Sequence, residues 1–259
     1  MKNIALLYGL LLLATLSFSH LVAAEMTVTL EDPANDVEAK IAKRLATSPT
    51  LKAVTEFINT YFDTPKGVTL SFGSYTRIWH KNRHIEIPYL FIEDTREHYK
   101  NTRFTHKNLD VDTYTGNVLL HVILHEFAHA LIAHYNLPVL GKEEDAADTF
   151  ADVMLIHFFE NGSDVVISAA DLFFINDKRM RRFVKEDFWS EHSLDKQRYY
   201  GRLCNAYGSN PSVYNNIKRQ ADFDEDKAER CIYQYRQTEH TWLNMLIVAP
   251  AFNAGVAIH

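Results

Sequence analysis

The sequence lacks the features that mark several common protein classes. Only two of its 259 residues are cysteine, and their spacing is nothing like C-x-x-C, which argues against a thiol redox centre. No internal repeat or low-complexity tract is visible, and a formal net charge of −6 gives no reason to expect a nucleic-acid partner. Beyond the N-terminus no run is long and apolar enough to span a membrane, so we expect no stable membrane insertion of the mature chain.

The N-terminal 24 residues have the layout of a secretory signal peptide. Lys2 precedes an almost wholly apolar stretch from Ile4 to Leu16, and positions 22–24 offer small residues to a signal peptidase. The stretch is short for a mature membrane helix, which needs about 20 residues, and an uncleaved anchor is the alternative. We therefore expect cleavage after residue 24, a periplasmic or secreted protein, and a single domain over residues 25–259.

Apolar periodicity predicts an α+β fold that is mostly helical. Helices are expected at 34–47, 50–62, 89–101, 115–138 and 141–162. Strands are expected at 68–74 and 83–88, separated by a polar turn around Lys81-Asn82. The remainder is interpreted as mostly helical, with loops near 190–195 and 208–212.

The two cysteines, Cys204 and Cys231, form an isolated pair. Such a pair in an exported protein is more often joined than free, so the sequence predicts a disulfide. The bond would stabilise the C-terminal part by roughly 3 kcal/mol. Two buried free thiols are the alternative.

The most informative stretch is HEFAH. His125 and His129 lie about 40° apart on a helix, so both imidazoles can reach one ion, and Glu126 is rotated by about 100° toward a water on that ion. This is the H-E-x-x-H arrangement of zinc hydrolases, in which the metal activates a water and the glutamate takes its proton. The alternative is a polar core in which the three side chains hydrogen-bond one another. Ile132 and Tyr135 exclude the metzincin extension of the motif.

A third metal ligand is expected on the next helix. Glu144 and Asp148 lie one turn apart there, with the small Ala147 between them. The pair resembles the second motif of the gluzincins, which implies that Glu144 is the third ligand and that Asp148 orients a ligand histidine. Glu143 is the rival ligand, and an acidic helix start that only complements the helix dipole is the alternative.

The motifs together resemble a group of bacterial proteins that are classed by motif as metallopeptidases and catalogued as a domain of unknown function. The motifs are H-E-F-A-H, G-K-E-E-D-A-A-D, EHSLDKQRYYGRLCNAYG at 191–208 and AERC at 228–231. The resemblance covers most of the mature chain and is strongest at 118–160 and 186–235. It implies a gluzincin-like zinc peptidase.

A later side chain is expected to stabilise the oxyanion. Gluzincins often use a His, Tyr or Arg for this task. His192 is the first candidate, and Tyr199 and Arg198 are the next candidates. The alternative is that Gln197 and Arg198 brace the C-terminal helices and that His192 caps one.

The sequence gives less reason to place the other histidines in the metal site. His121 lies one turn before His125 on the same helix face and is interpreted as a core residue or a support for the site. The remaining candidates are expected to be structural or exposed: His134, His157, His240 and His259.

The strand at 83–88 precedes the HEFAH helix closely in the chain. In zincins an edge strand beside the cleft commonly holds an extended peptide by backbone pairing. We therefore expect residues 83–88 to form such an edge and the substrate to be a polypeptide.

The sequence thus predicts a secreted or periplasmic zinc metallopeptidase. One Zn²⁺ would be held by His125, His129 and Glu144, with Glu126 as general base. The alternatives are a metal-binding envelope protein without peptidase activity, which would have a closed coordination shell, and a zinc hydrolase of a non-peptide amide or ester.

Overall fold

A computed structural model describes residues 25–64, 66–102, 109–179, 183–253 and 256, without the side chains of 175–179. The predicted signal peptide, residues 1–24, lies outside the described residues, as does His259.

The described chain forms a small sheet early in the sequence and helices throughout. The strands are β1 Met26–Leu30, β2 Val68–Gly73, β3 Trp79–Lys81 and β4 His84–Pro88. The helices are α1 Asp36–Leu45, α2 Pro49–Tyr61, α3 Tyr89–Asn101, α4 Val111–Tyr135, α5 Glu143–Phe158, α6 Gly162–Arg179, α7 Lys185–Trp189, α8 Asp195–Ser209, α9 Asn215–Gln220 and α10 Glu225–Val248. The predicted α+β, mostly helical class is confirmed.

Local sequence signals set the ends of the helices. The Asn35 side chain accepts hydrogen bonds from the backbone N–H groups of Val37 and Glu38 at the start of α1, and Asp110 caps α4 in the same way. α4 ends at Asn136, whose φ of 49° is left-handed, a conformation that asparagine tolerates. These caps fix where the helix that carries HEFAH begins and ends.

The four strands form one mixed sheet in the order β1-β2-β4-β3. β1 pairs in parallel with β2 and β2 with β4, whereas β3 runs antiparallel to β4. β4 therefore lies inside the sheet, and the prediction that residues 83–88 form its edge is wrong. The chain reverses at Asn82, whose φ is 58°. This tight turn pairs the three-residue β3 with the edge of β4 that β2 does not occupy.

α4 runs through the core between the sheet and the later helices. Its length and composition would suffice to cross a membrane, but 72% of its most apolar 18-residue window is buried inside the protein. This burial is the pattern of a core helix in a globular protein. Polar side chains on α4 are therefore enclosed by protein.

α8 and α10 pack closely against each other. The predicted disulfide between Cys204 and Cys231 is confirmed and joins the two helices. Gly208 allows the approach, since a Cβ there would lie 2.3 Å from the carbonyl oxygen of Cys231. α8 also contacts α5.

Candidate metal centre

α4 carries three polar side chains into the protein interior. His125, Glu126 and His129 are only 6%, 9% and 2% exposed. Residues four apart on a helix share a face, and the two imidazole Nε2 atoms lie 3.3 Å apart. The two rings thus converge on one point beside the helix.

α5 brings a carboxylate to the same point. Glu144 Oε2 lies 3.1 Å from His125 Nε2 and 3.5 Å from His129 Nε2. Together with the 3.3 Å between the nitrogens, the three atoms form a nearly equilateral triangle. A tetrahedral zinc site with ligand distances of about 2.0–2.1 Å has edges of about 3.3–3.4 Å. Two imidazoles and a carboxylate at this spacing fit one face of such a tetrahedron.

Hydrogen bonds on the far side of each ring set its tautomer. Asp148 Oδ1 lies 2.8 Å from His125 Nδ1, and Glu143 Oε1 lies 2.7 Å from His129 Nδ1. An ionised carboxylate can only accept, so each Nδ1–H donates, and the neutral form of each ring has its lone pair on Nε2. Two lone pairs and a carboxylate oxygen then meet, an arrangement that a cation stabilises. Glu143 and Glu144 lie on opposite sides of His129.

The surroundings of the cluster favour positive charge. Burial disfavours the imidazolium of His125, but Asp148 beside it, with help from Glu144, raises the pKa of His125 to about 9. Burial also opposes ionisation of Glu144, yet the contacts of this carboxylate with His125, His129 and His192 lower the pKa of Glu144 far below its ordinary value. The acid is therefore ionised at neutral pH and available as a ligand.

A second group of possible ligands shares one histidine with the first and consists of His80, His129 and Glu143. The rings of His80 and His129 are stacked, with centroids 4.1 Å apart and planes at 8°. Lone pairs in the planes of two parallel rings do not point at a common ion. This group therefore fits a metal less well than His125, His129 and Glu144 do.

Two arginines from α8 hold Asp148, which is 1% exposed. Arg198 donates from Nε and Nη2 to the two carboxylate oxygens at 2.8 and 2.9 Å, and Arg202 donates from Nη1 at 2.7 Å. Burial opposes the charge of Asp148, but Arg202 and Arg198 keep the pKa of this carboxyl well below its usual range. Arg198, which the sequence offered either as a further candidate for oxyanion stabilisation or as a brace of the C-terminal helices, thus contacts the acid beside His125 Nδ1.

A parallel set of contacts lies one helical turn away. His121 Nε2 lies 3.0 Å from Asp152 Oδ1, while Arg202 Nε and Asn205 Nδ2 donate to Asp152 Oδ2 at 3.0 and 2.7 Å. Burial lowers the pKa of His121 despite this carboxylate. His121 is accordingly buried and hydrogen-bonded, in agreement with its interpretation as a core residue or a support for the site.

His192 reaches the cluster from the loop between α7 and α8. Its Nε2 lies 2.9 Å from Glu144 Oε2, and its backbone carbonyl accepts a hydrogen bond from Lys142 Nζ at 3.2 Å. Tyr199, a further candidate for this task, packs against Phe174 with ring centroids 5.2 Å apart. The loop thus brings one of the three residues proposed for oxyanion stabilisation to the open side of the site.

Sequence reasoning missed His80. This residue lies on β3, and its Nδ1 is 3.0 Å from Glu126 Oε2. The contact spans 46 positions of the chain, and a three-residue strand is too short for a periodic signal. The sequence signal that could have pointed to His80 was its position between the two predicted strands, shortly before the HEFAH helix.

A cleft of about 910 Å³ opens over the cluster and Glu126. Apolar side chains from α3, α4 and α6 line part of the cleft: Phe91, Val122 and Leu172. Charged side chains also line it: Lys142, Glu143 and Glu191. The volume lies at the upper end of the range of small-molecule sites.

Three further histidines of the described chain, His134, His157 and His240, lie away from the cluster. His157 Nδ1 is 3.1 Å from Glu239 Oε1, and His240 contacts Asn244 on the exposed side of α10. His134 is exposed near the end of α4. Their structural or exposed placement agrees with expectation.

A buried pair of histidines, a neighbouring glutamate and an acid from the next helix, all beside an open cleft, define a metallopeptidase-like site. Residues 30–246 match the model of the DUF4344 family, which is described as "Putative metallopeptidase". The match spans more than half of the chain, and the protein belongs to this family. Neither curated proteins nor solved structures gave a match to the chain.

Proposed function

We propose that the protein is a zinc-dependent metallopeptidase whose ion is held by His125, His129 and Glu144. The observation that carries the proposal is the triangle of two imidazole nitrogens and one carboxylate oxygen, with sides of 3.1 to 3.5 Å. Zinc bound there would lower the pKa of a water toward 7 and polarise a substrate carbonyl.

Glu126 is the general base of this proposal. Its carboxylate borders the cleft next to the His125 ring, and it would take a proton from the attacking water and deliver it to the leaving amine. His192, on the open side of Glu144, would donate a hydrogen bond to the oxyanion. Asp148 would keep the His125 tautomer that directs Nε2 toward the ion.

A polypeptide is the proposed substrate. The cleft is large and open, which favours a catalytic site over a closed structural one. Within the described chain β3 ends the sheet on the side of the cleft, and a strand edge can pair with an extended peptide. The family description agrees with this choice of substrate.

We further propose that the protein is exported. The N-terminal residues have the pattern of a signal peptide, and the Cys204–Cys231 disulfide suits an oxidising compartment.

The test compares two glutamine variants of the purified, zinc-loaded protein on a peptide library. Glu126→Gln should bind zinc as the wild type does and lose at least about 100-fold in kcat, because only the proton acceptor is removed. Glu144→Gln should lose zinc, which is measured by metal analysis after dialysis. A zinc-loaded Glu126→Gln protein that still cleaves peptides at the wild-type rate would refute the role of Glu126.

A further inference from the structure

The edge strand of the sheet reaches the residue proposed as general base. His80, in the middle of β3, places Nδ1 3.0 Å from Glu126 Oε2. A carboxylate accepts only, so the imidazole N–H donates to Glu126. The base therefore has a fixed partner from a different element of the fold.

The His80 ring itself is held from two sides. It stacks on His129 with centroids 4.1 Å apart and planes at 8°, and Trp79 lies beside it in the strand. β3 is anchored by antiparallel pairing to β4, with His80 opposite the fully buried Ile85. Because the ring cannot turn freely, its hydrogen bond selects one orientation of the Glu126 carboxylate.

We propose that His80 is the positioning residue of the general base. This inference rests on the proposed function and extends it. The hydrogen bond occupies one carboxylate oxygen of Glu126, which leaves the other for the attacking water. Since β3 is also the sheet edge beside the cleft, a peptide that pairs with this strand would be aligned by the same element that aligns the base.

The expected effect is on turnover. A carboxylate that rotates freely spends less time in the productive orientation, and misplacement by about 1 Å can cost 10²-fold in rate. His80→Ala should therefore lower kcat by about 10- to 100-fold and leave KM and zinc content near wild-type values. His80→Asn should recover much of kcat, because its amide N–H is attached to Cγ as the Nδ1 of histidine is.

A matched control lies in the same hairpin. His84, on β4, is exposed and outside the cleft lining, so His84→Ala removes the same side chain without touching Glu126. Its kcat should equal that of the wild type. The hydrogen bond is observed separately by ¹⁵N NMR of histidine-labelled, zinc-loaded protein. The His80 Nδ1–H signal should be protected from exchange, and Glu126→Ala should abolish that protection.

The outcomes separate the two proposals. If Glu126→Gln is inactive but His80→Ala turns over like the wild type, the role of His80 is overturned and the proposed function stands. An unprotected His80 Nδ1–H signal also overturns it. If the wild type cleaves no peptide in a manner sensitive to Glu126→Gln, the proposed function falls, and the role of His80 in it falls as well.

Discussion

At the scale of single residues, Asp171 is a buried carboxyl group on α6. It is 5% exposed, and burial raises its pKa to about 8. In the unfolded chain its pKa would be about 4. Between these values the native state holds a proton that the unfolded state has released, so the free energy of unfolding falls as the pH rises from about 4 to 8.

Replacing this acid with its neutral analogue should flatten that dependence. Asp171→Asn keeps an uncharged side chain at every pH, so its thermal midpoint relative to the wild type should rise between pH 5 and pH 8. Circular dichroism melts at both values measure the change. Asp164→Asn, an exposed position of the same helix, serves as the control. Equal shifts of Asp171→Asn at the two pH values would contradict the expectation.

The site residues divide into those that local spacing reveals and those that it does not. His125, Glu126 and His129 could be predicted as candidates because one helix places them together, and Glu144 and Asp148 because their motif resembles the second motif of the gluzincins. Their geometric neighbours His80, Arg198 and Arg202 come from distant segments. Only the packing of β3 and α8 against α4 and α5 brings them near, and no local pattern encodes that packing.

At the scale of elements, the contact between α8 and α10 gives a sharp test of packing. A methyl group at Gly208 would collide with the backbone of Cys231, whereas one at Gly201, on the same helix, would meet nothing within 4 Å. Gly208→Ala should therefore lower the free energy of unfolding by about 1–3 kcal/mol. Gly201→Ala should be neutral or raise it by up to about 1 kcal/mol, through helix propensity.

Urea denaturation of the two variants measures both effects. The substitution is the same and the helix is the same, so propensity cancels in the comparison. Equal free energies of unfolding for the two variants would contradict the expectation that the contact between α8 and α10 requires glycine at position 208.

Helices and strands differ in how well sequence located them. Long amphipathic helices have a clear apolar periodicity in the sequence. The helix predicted at 89–101 coincides with α3. β1 was not predicted, because in its five residues only Met26 is buried and its partner β2 lies about 40 positions away. The position of β4 inside the sheet was also missed, since strand order depends on long-range pairing that β3 completes.

At the scale of the whole molecule, a bound ion would tie α4 to α5. Zinc at 100 times its Kd would add about 2.7 kcal/mol to the free energy of unfolding. For a chain of this size that corresponds to a rise of roughly 5–10 °C in the thermal midpoint.

Calorimetry of protein treated with a chelator and then reloaded with zinc measures this rise. Glu144→Ala, which removes the carboxylate ligand, should show little response to added zinc. A wild-type midpoint that ignores zinc would contradict the proposed metal centre.

α8 is joined to α10 by the disulfide and to Asp148 on α5 by two arginines, and this has a consequence for the maturation of the protein. Cys204 lies two residues from Arg202, so the bond that fastens this helix to α10 also steadies the guanidinium that holds Asp148. In a newly made chain with reduced thiols, Asp148 would hold His125 less rigidly, and the affinity for the proposed ion would be lower. Under the proposed export, formation of the disulfide would therefore precede stable binding of the proposed ion.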